Sequence, residues 1–307
     1  MVEAHPGRRS SFMPRSVTVG LDGSSESLAA ADWAAREAQR RGLPLRLVHA
    51  LDWHSFTYAP LTGVESLTRW AERLPRDTAA RLRRDHPDLR IVHEQVAREP
   101  VPSLLAAAGN AELLVLGSRG LSRVTGILVG SVALSVVARA ELPVVLVRTG
   151  GSDQDSHRTG PAATASPVVA RRDVVLGLDL RRPAAPVLEF AFDAAARRGA
   201  ALRVVHGWSP PSGPDGTARR DTGQSARVPS GPADVLSPWR AKFPGVEVSE
   251  QAVVGSPAGH LVDASAGAAL VVVGRSTHGP RPGPRIGPVT HAVLHHSAAP
   301  VAVIAHG

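Results

Sequence analysis

The sequence predicts two tandem doubly wound α/β domains, each built on a five-stranded parallel sheet. Three observations predict this: the chain repeats itself, its apolar runs are short and continuous, and those runs take turns with Ala-rich stretches of helical periodicity. "VTVGLDGS" at 17–24 matches "VVLGLDLR" at 174–181, and "RRGLPLRLVHA" at 40–50 matches "RRGAALRVVHG" at 197–207. "REPVPSLL" at 98–105 lies opposite "GSPAGHLV" at 255–262, and "LPVVLV" at 142–147 opposite "APVAVI" at 299–304, all at one shift of 157 residues. A constant offset means two homologous copies with matched loops, and 307 residues is a suitable length for two domains. The boundaries fall at 13–150 and 173–307, with the polar, Gly/Ser/Thr/Pro-rich stretch 151–172 as a linker.

In the first copy the strands are expected near 15–21, 44–50, 90–96, 112–117 and 143–148. They are apolar throughout rather than alternating, as suits strands covered by helices on both faces. The first helix, near 26–41, starts after Ser24 or Ser25, whose hydroxyl can cap free amides, and closes at Gly42. Further helices follow near 65–84, 101–109 and 130–140, the last opening at Ser131 and ending before Pro143. The second copy differs most at 209–232, which has no periodicity and reads as a disordered excursion; residues 1–12 read as a loose tail.

Composition narrows the function classes. There is no cysteine, which excludes disulfides, thiolate zinc sites and cysteine nucleophiles. The N-terminus lacks the apolar segment of a signal peptide, and no run approaches the roughly 20 apolar residues of a membrane-spanning helix, so a soluble, cytoplasmic protein is expected. The net charge of +8 invites a nucleic-acid reading, but Lys242 is the single lysine and the arginines are scattered over helical faces. Eleven Phe, Trp and Tyr residues, none interleaved with a basic run, offer little for base stacking.

The stretch that carries chemistry is "GSRGLSRVTGILVGSV" at 117–132, directly after the apolar "AELLVLG". In doubly wound sheets ligands sit beyond the carboxyl ends of strands, where the strand order reverses. Gly117 and Gly120 let amides approach an anion, and Gly130 and Ser131 present amides and a hydroxyl at a helix N-terminus, where partial positive charge favours phosphate. Arg119 and Arg123 can add charge-assisted bonds. Asp22, at the end of the first strand in "VGLDGS", can accept from a ribose or an adenine amine. A glycine-rich strand-to-helix loop is also a common connector that binds nothing, and the residues alone leave both readings open.

The arrangement G-x2-G-x9-G-[S/T], here Gly117, Gly120, Gly130 and Ser131, resembles the ATP-binding signature of the universal stress protein family. "VTVGLDGS", "LVHA" and "LPVVLV" are similar to that family's first, second and last strands, and the likeness spans both copies. The resemblance implies a Rossmann-like fold in the family's tandem form. It also implies ATP, with Mg2+ bridging its phosphates: Asp22 and a strand-two backbone group at Val48 hold adenine and ribose, while Gly117, Gly120, Gly130 and Ser131 hold the phosphates. Gly20, Ser118, Arg119 and Arg123 stand nearby. The second copy departs from this pattern. It keeps Gly274, Asp179 and Gly287, but Thr277 stands in place of Gly120 and Pro288 in place of Ser131, and four prolines stiffen its loop.

Other chemistries fit less well. His291 and His295 sit four apart on one helical face, but "HAVLHH" has no metalloprotease glutamate, so solvated or packed histidines are expected and no metal site is assigned. His49 and His206 read as hydrogen-bonded structural residues. No G-x-S-x-G nucleophile turn is present, "LDGSSES" lacks the S-G-G-x-D-S order of adenylating enzymes, and "GLDGSS" is not a G-x-G-x-x-G dinucleotide turn. No catalytic residues are assigned. The reading is an ATP-binding stress-response regulator; the alternatives are a scaffold that uses no nucleotide and a slow ATPase. The apolar last strands "PVVLVR" and "PVAVIA" need covering, by pairing between the copies or in a homodimer.

Overall fold

A computed structural model of the chain describes residues 15–50, 61–118, 129–149, 172–208, 231–277 and 286–307. The first half runs β1 (Ser16–Leu21), α1 (Ser25–Arg41), β2 (Leu45–Ala50), α2 (Leu61–Asp85), β3 (Ile91–Val96), α3 (Pro100–Ala108), β4 (Ala111–Gly117), α4 (Ser131–Arg139) and β5 (Val144–Val147). The second runs β6 (Val174–Gly177), α5 (Ala185–Arg198), β7 (Leu202–Trp208), α6 (Pro232–Lys242), β8 (Val248–Val254), α7 (Pro257–Ser265), β9 (Leu270–Ser276), α8 (Pro288–His296) and β10 (Val301–His306). The expected loose tail lies outside the described residues, as do the linker apart from Arg172 and nearly all of the excursion at 209–232.

All ten strands form one sheet in the order β3-β2-β1-β4-β5-β10-β9-β6-β7-β8. Each half has the doubly wound order, and every pairing within a half is parallel. The halves join through an antiparallel pair, β5 with β10, where Leu146, Val145 and Val144 face Val301, Ala302 and Val303. The apolar last strands thus cover each other within one chain, which removes the edge argument for a homodimer at this place. The edges left open are β3 and β8, and β3 carries His93, Glu94 and Gln95, the polar kind of edge that resists pairing.

Helices cover both faces. One core cluster holds Trp33, Ala34 and Leu82 with Phe192 and Leu236, from α1, α2, α5 and α6. The other holds Leu104, Val136 and Val137 with Leu261, Val293 and Leu294, from α3, α4, α7 and α8. The inner strands β1, β4, β5, β6, β9 and β10 are covered on both sides, which is why they read as Val/Leu-rich runs, while the edge strands β3 and β8 are more polar. Helix α1 starts where its residues dictate. The Ser24 hydroxyl accepts from the Ser27 amide at 3.1 Å, and the helix ends at Gly42 in the left-handed region, φ 64°. Its counterpart α5 has no such cap, because Ala184 stands at the start.

The two halves also meet through α1 and α5, where a charge cluster is buried. Glu37, 1 % exposed, accepts from Arg41 Nε at 2.7 Å and from Arg198 of the other half at 2.6 Å. Arg41 also reaches Glu112 at 2.7 Å and Asp193 at 3.4 Å. The contact is pseudo-symmetric: Arg41 lies over the Phe190 ring and Arg198 over Trp33, residues equivalent in the two copies. Burial alone would raise the Glu37 carboxyl, but Arg198 and Arg41 outweigh it and hold it below the ordinary carboxylate range.

Candidate functional site

Strand order reverses between β1 and β4, so the crevice at their carboxyl ends is where a ligand is expected. β1 delivers Leu21 and Asp22 to this edge, and a tight turn follows. Asp22 Oδ1 accepts from the Ser24 amide at 2.9 Å and the Ser24 hydroxyl at 2.5 Å. Gly23 has φ +84°, and a Cβ there would stand 2.6 Å from Trp70 Cζ2, so both conformation and space call for glycine. The turn feeds straight into the capped start of α1.

β4 delivers Gly117 and Ser118. A Cβ on Gly117 would lie 2.8 Å from the Glu26 carbonyl carbon and the Ser27 amide nitrogen. The glycine therefore lets the end of β4 press against the first turn of α1. The Ser118 amide donates to the Val147 carbonyl at 2.8 Å, and its hydroxyl is buried without a hydrogen-bond partner among the described residues. The Gly130 amide donates to the Ser118 carbonyl at 2.9 Å, which ties the two ends of the glycine loop together. α4 then begins at Ser131 with no side-chain cap on its first amides, and Ser131 is exposed.

Of the expected site residues, Asp22, Gly117, Ser118, Gly130 and Ser131 take their places along the crevice just described. Arg119, Gly120 and Arg123 lie outside the described residues. Gly20 sits lower, inside the sheet, where a Cβ would meet Leu116 at 2.6 Å and Leu104 at 2.8 Å, so its role is to admit core packing. Val48 is buried and paired on both sides, with Gly20 and Glu94. Ala50 pairs with Val96 of β3 alone, because β1 ends opposite His49, so the strand-two backbone open to the crevice lies at Ala50.

His49 behaves as the structural histidine expected. It is 2 % exposed, its Nδ1 lies 2.8 Å from the Leu21 carbonyl, and its ring meets Trp70 edge-on at 5.5 Å. Burial pushes its pKa below the ordinary value, against the opposing pull of the Leu21 carbonyl and Asp22. Residues the sequence reading passed over are Gly23, Trp70 and Glu26. The first had a signal in its Asp-Gly turn; the other two are placed by packing. The Glu26 Cβ would stand 3.0 Å from a Cβ on Gly117, and the Glu26 carboxylate accepts from the Thr149 hydroxyl at 3.3 Å. Among the described residues, no group of three or more His, Asp or Glu could hold a metal ion.

The twin crevice of the second half is lined differently. β10 runs on to His306, whose ring would lie 2.8 Å from a Cβ on Gly274. Thr277 donates to the His306 carbonyl from its amide at 2.7 Å and its hydroxyl at 3.1 Å. Pro288 opens α8 where Ser131 opens α4, and Asp179 keeps its turn by accepting from the Arg181 amide at 2.9 Å.

Comparison with known proteins agrees with this architecture. A family model described as the universal stress protein family matches residues 13–148 and again 170–305. One universal stress protein of Mycobacterium tuberculosis is 34 % identical over 303 residues, 94 % of this chain and 96 % of the relative. Another from the same organism is 31 % identical over 302 residues, 94 % and 95 % of the two chains. The crystal structure of a universal stress protein from Archaeoglobus fulgidus superposes with a TM-score of 0.63 at 17 % identity, over 96 % of this chain and 98 % of that one. Among the described residues, no helix is long and apolar enough to cross a membrane.

Proposed function

Because the chain belongs to the universal stress protein family, we propose that its N-terminal domain binds ATP and works as a nucleotide-responsive regulatory module in a cytoplasmic stress response. The observation that carries this reading is the crevice between β1 and β4. There Gly117 lies against α1, and Gly130 is tied to Ser118, so α4 starts with Ser131 beside the end of β4 and no side chain caps its first amides. Such a helix start favours phosphate. Asp22 keeps Oδ2 for a ribose hydroxyl or adenine amine while Oδ1 holds the turn. The strand-two backbone contact moves from Val48 to Ala50, for the reason of register given above. Arg119, Gly120 and Arg123 supply the rest of the phosphate wrap.

If magnesium accompanied the triphosphate, Glu26 in the first turn of α1 would be the carboxylate available to hold it, and the ion would offset that charge near the phosphates. His49 is bonded to Leu21 and buried, and offers no base for activating water, so hydrolysis is slow. The C-terminal domain, 173–307 after the linker 151–172, is a degenerate partner, in keeping with the His306 ring beside Gly274. A homodimer would form through surfaces other than β5 and β10.

The second reading, a scaffold that uses no nucleotide, draws on that twin, where the His306 ring lies beside Gly274 and Pro288 opens the helix in place of a serine. Equilibrium dialysis of ATP separates the two. Wild type should retain ATP, and the double variant Gly120→Asp/Ser131→Ala should lose at least about tenfold in affinity, as a like charge set beside the phosphates and the loss of one hydroxyl bond to them predict. Equal retention by both proteins defeats the ATP reading.

A further inference from the structure

We infer that His295, in the last helix of the C-terminal domain, positions the turn that opens α4 in the N-terminal domain, so that the degenerate copy braces the intact site. The inference rests on the nucleotide reading above for its functional half and on contacts of its own for the structural half. The Val129 amide donates to His295 Nδ1 at 3.4 Å, and the next amide, Gly130, donates to Ser118. Both partners are buried, Val129 5 % and His295 6 % exposed, so without the imidazole this amide would be orphaned in the core. An acceptor Nδ1 requires the neutral ring with its proton on Nε2.

The imidazole is itself held. Arg148, the residue after β5, donates to the Leu294 carbonyl at 2.8 Å and to the His295 carbonyl, fixing the end of α8 against the first domain. His291, one turn earlier, lies against the His295 ring with centroids 4.3 Å apart. The arrangement follows from the antiparallel β5–β10 seam, which brings the end of each domain's last helix to the other domain.

The brace acts in one direction. Arg275, from the end of β9, donates to the Ala140 carbonyl at the end of α4, a clamp of the same kind as Arg148 but from a different position in the repeat. Yet at the 157-residue shift, Ala138 stands where His295 stands, and it has no side-chain acceptor to offer Ile286, the equivalent of Val129. The imidazole contact therefore serves the domain whose motif is intact and is missing from the domain where Pro288 has replaced the serine. A role in packing alone would not require a nitrogen acceptor, and that difference can be tested.

The test uses full-length wild type, His295→Leu and His295→Asn, the last because its Oδ1 takes the place of Nδ1. In the nucleotide-free proteins, amide hydrogen exchange at Val129 should speed up about fivefold or more in His295→Leu and stay near wild type in His295→Asn, the scale of one lost hydrogen bond. ATP affinity by calorimetry should fall by a similar factor in the leucine variant and recover in the asparagine variant. Wild-type exchange at Val129 in His295→Leu overturns the brace, and so does an unchanged ATP affinity or an equal loss in both variants. A wild type that binds no ATP, with Val129 still responding to His295→Leu, supports the brace and defeats the nucleotide reading.

Discussion

Replacing Glu37 by glutamine tests how the two halves are held. The carboxylate is the buried counter-charge for Arg41 and Arg198, with Arg40 at 3.5 Å. Neutralising it affects the two main partners unequally. Arg41 keeps Glu112 at 2.7 Å and Asp193 at 3.4 Å. Arg198, 7 % exposed in its side chain, keeps the Ala194 carbonyl at 3.0 Å and the Trp33 ring, neither of which carries a charge. The cost is therefore that of one stranded buried cation, at the low end of the range for a broken buried pair, about 3 kcal/mol. That corresponds to a fall in Tm of roughly 6–9 °C by scanning calorimetry. Arg198→Met alone should cost about 1 kcal/mol, because Glu37 still has Arg41. The double variant Glu37→Gln/Arg198→Met should cost about 2 kcal/mol less than the sum of the singles, since it removes the stranded charge. Additive losses, or a glutamine variant within about 0.5 kcal/mol of wild type, would refute this account.

Three further outcomes are expected. Gly117→Ala forces a methyl to within 2.8 Å of α1 backbone; the strand end or the helix must move, at about 1–3 kcal/mol by urea titration, and ATP retention should fall with it. Ser24→Ala removes the α1 cap and one of the two bonds to Asp22 Oδ1, and should cost about 1–2 kcal/mol by the same measurement. Stability should depend on pH through two groups. His49 has a folded pKa below 6.5, so in that window the unfolded chain binds the proton the folded protein refuses; stability is full above pH 6.5 and falls as pH drops, and His49→Phe should flatten this limb. Glu37, depressed below 4.5, adds a second loss on further acidification, absent in Glu37→Gln.

What the chain wrote locally could be read locally. The strands and helices of the first half sit within a residue or two of their expected places, apart from an α2 that begins at Leu61, because apolar runs, a serine cap and a closing glycine act within one or two turns. The repeat at one offset foretold two like domains, and the turn after β1 and the glycine at the end of β4 were legible as special backbone positions. The level of Gly20 and Val48 in the sheet was not, because where a strand stops pairing depends on its neighbours' lengths.

Sequence by itself thus determined the elements, their doubling, and which copy keeps more of the glycine motif. Tertiary structure decided how the copies meet and which residues line each crevice. It chose an antiparallel β5–β10 seam within one chain, set Arg198 on a carboxylate 161 residues away, and placed His295 on an amide 166 residues away. Such contacts leave no trace in periodicity, since their energies depend on distance in space and on exclusion of water, and both come into being only when the sheet has closed.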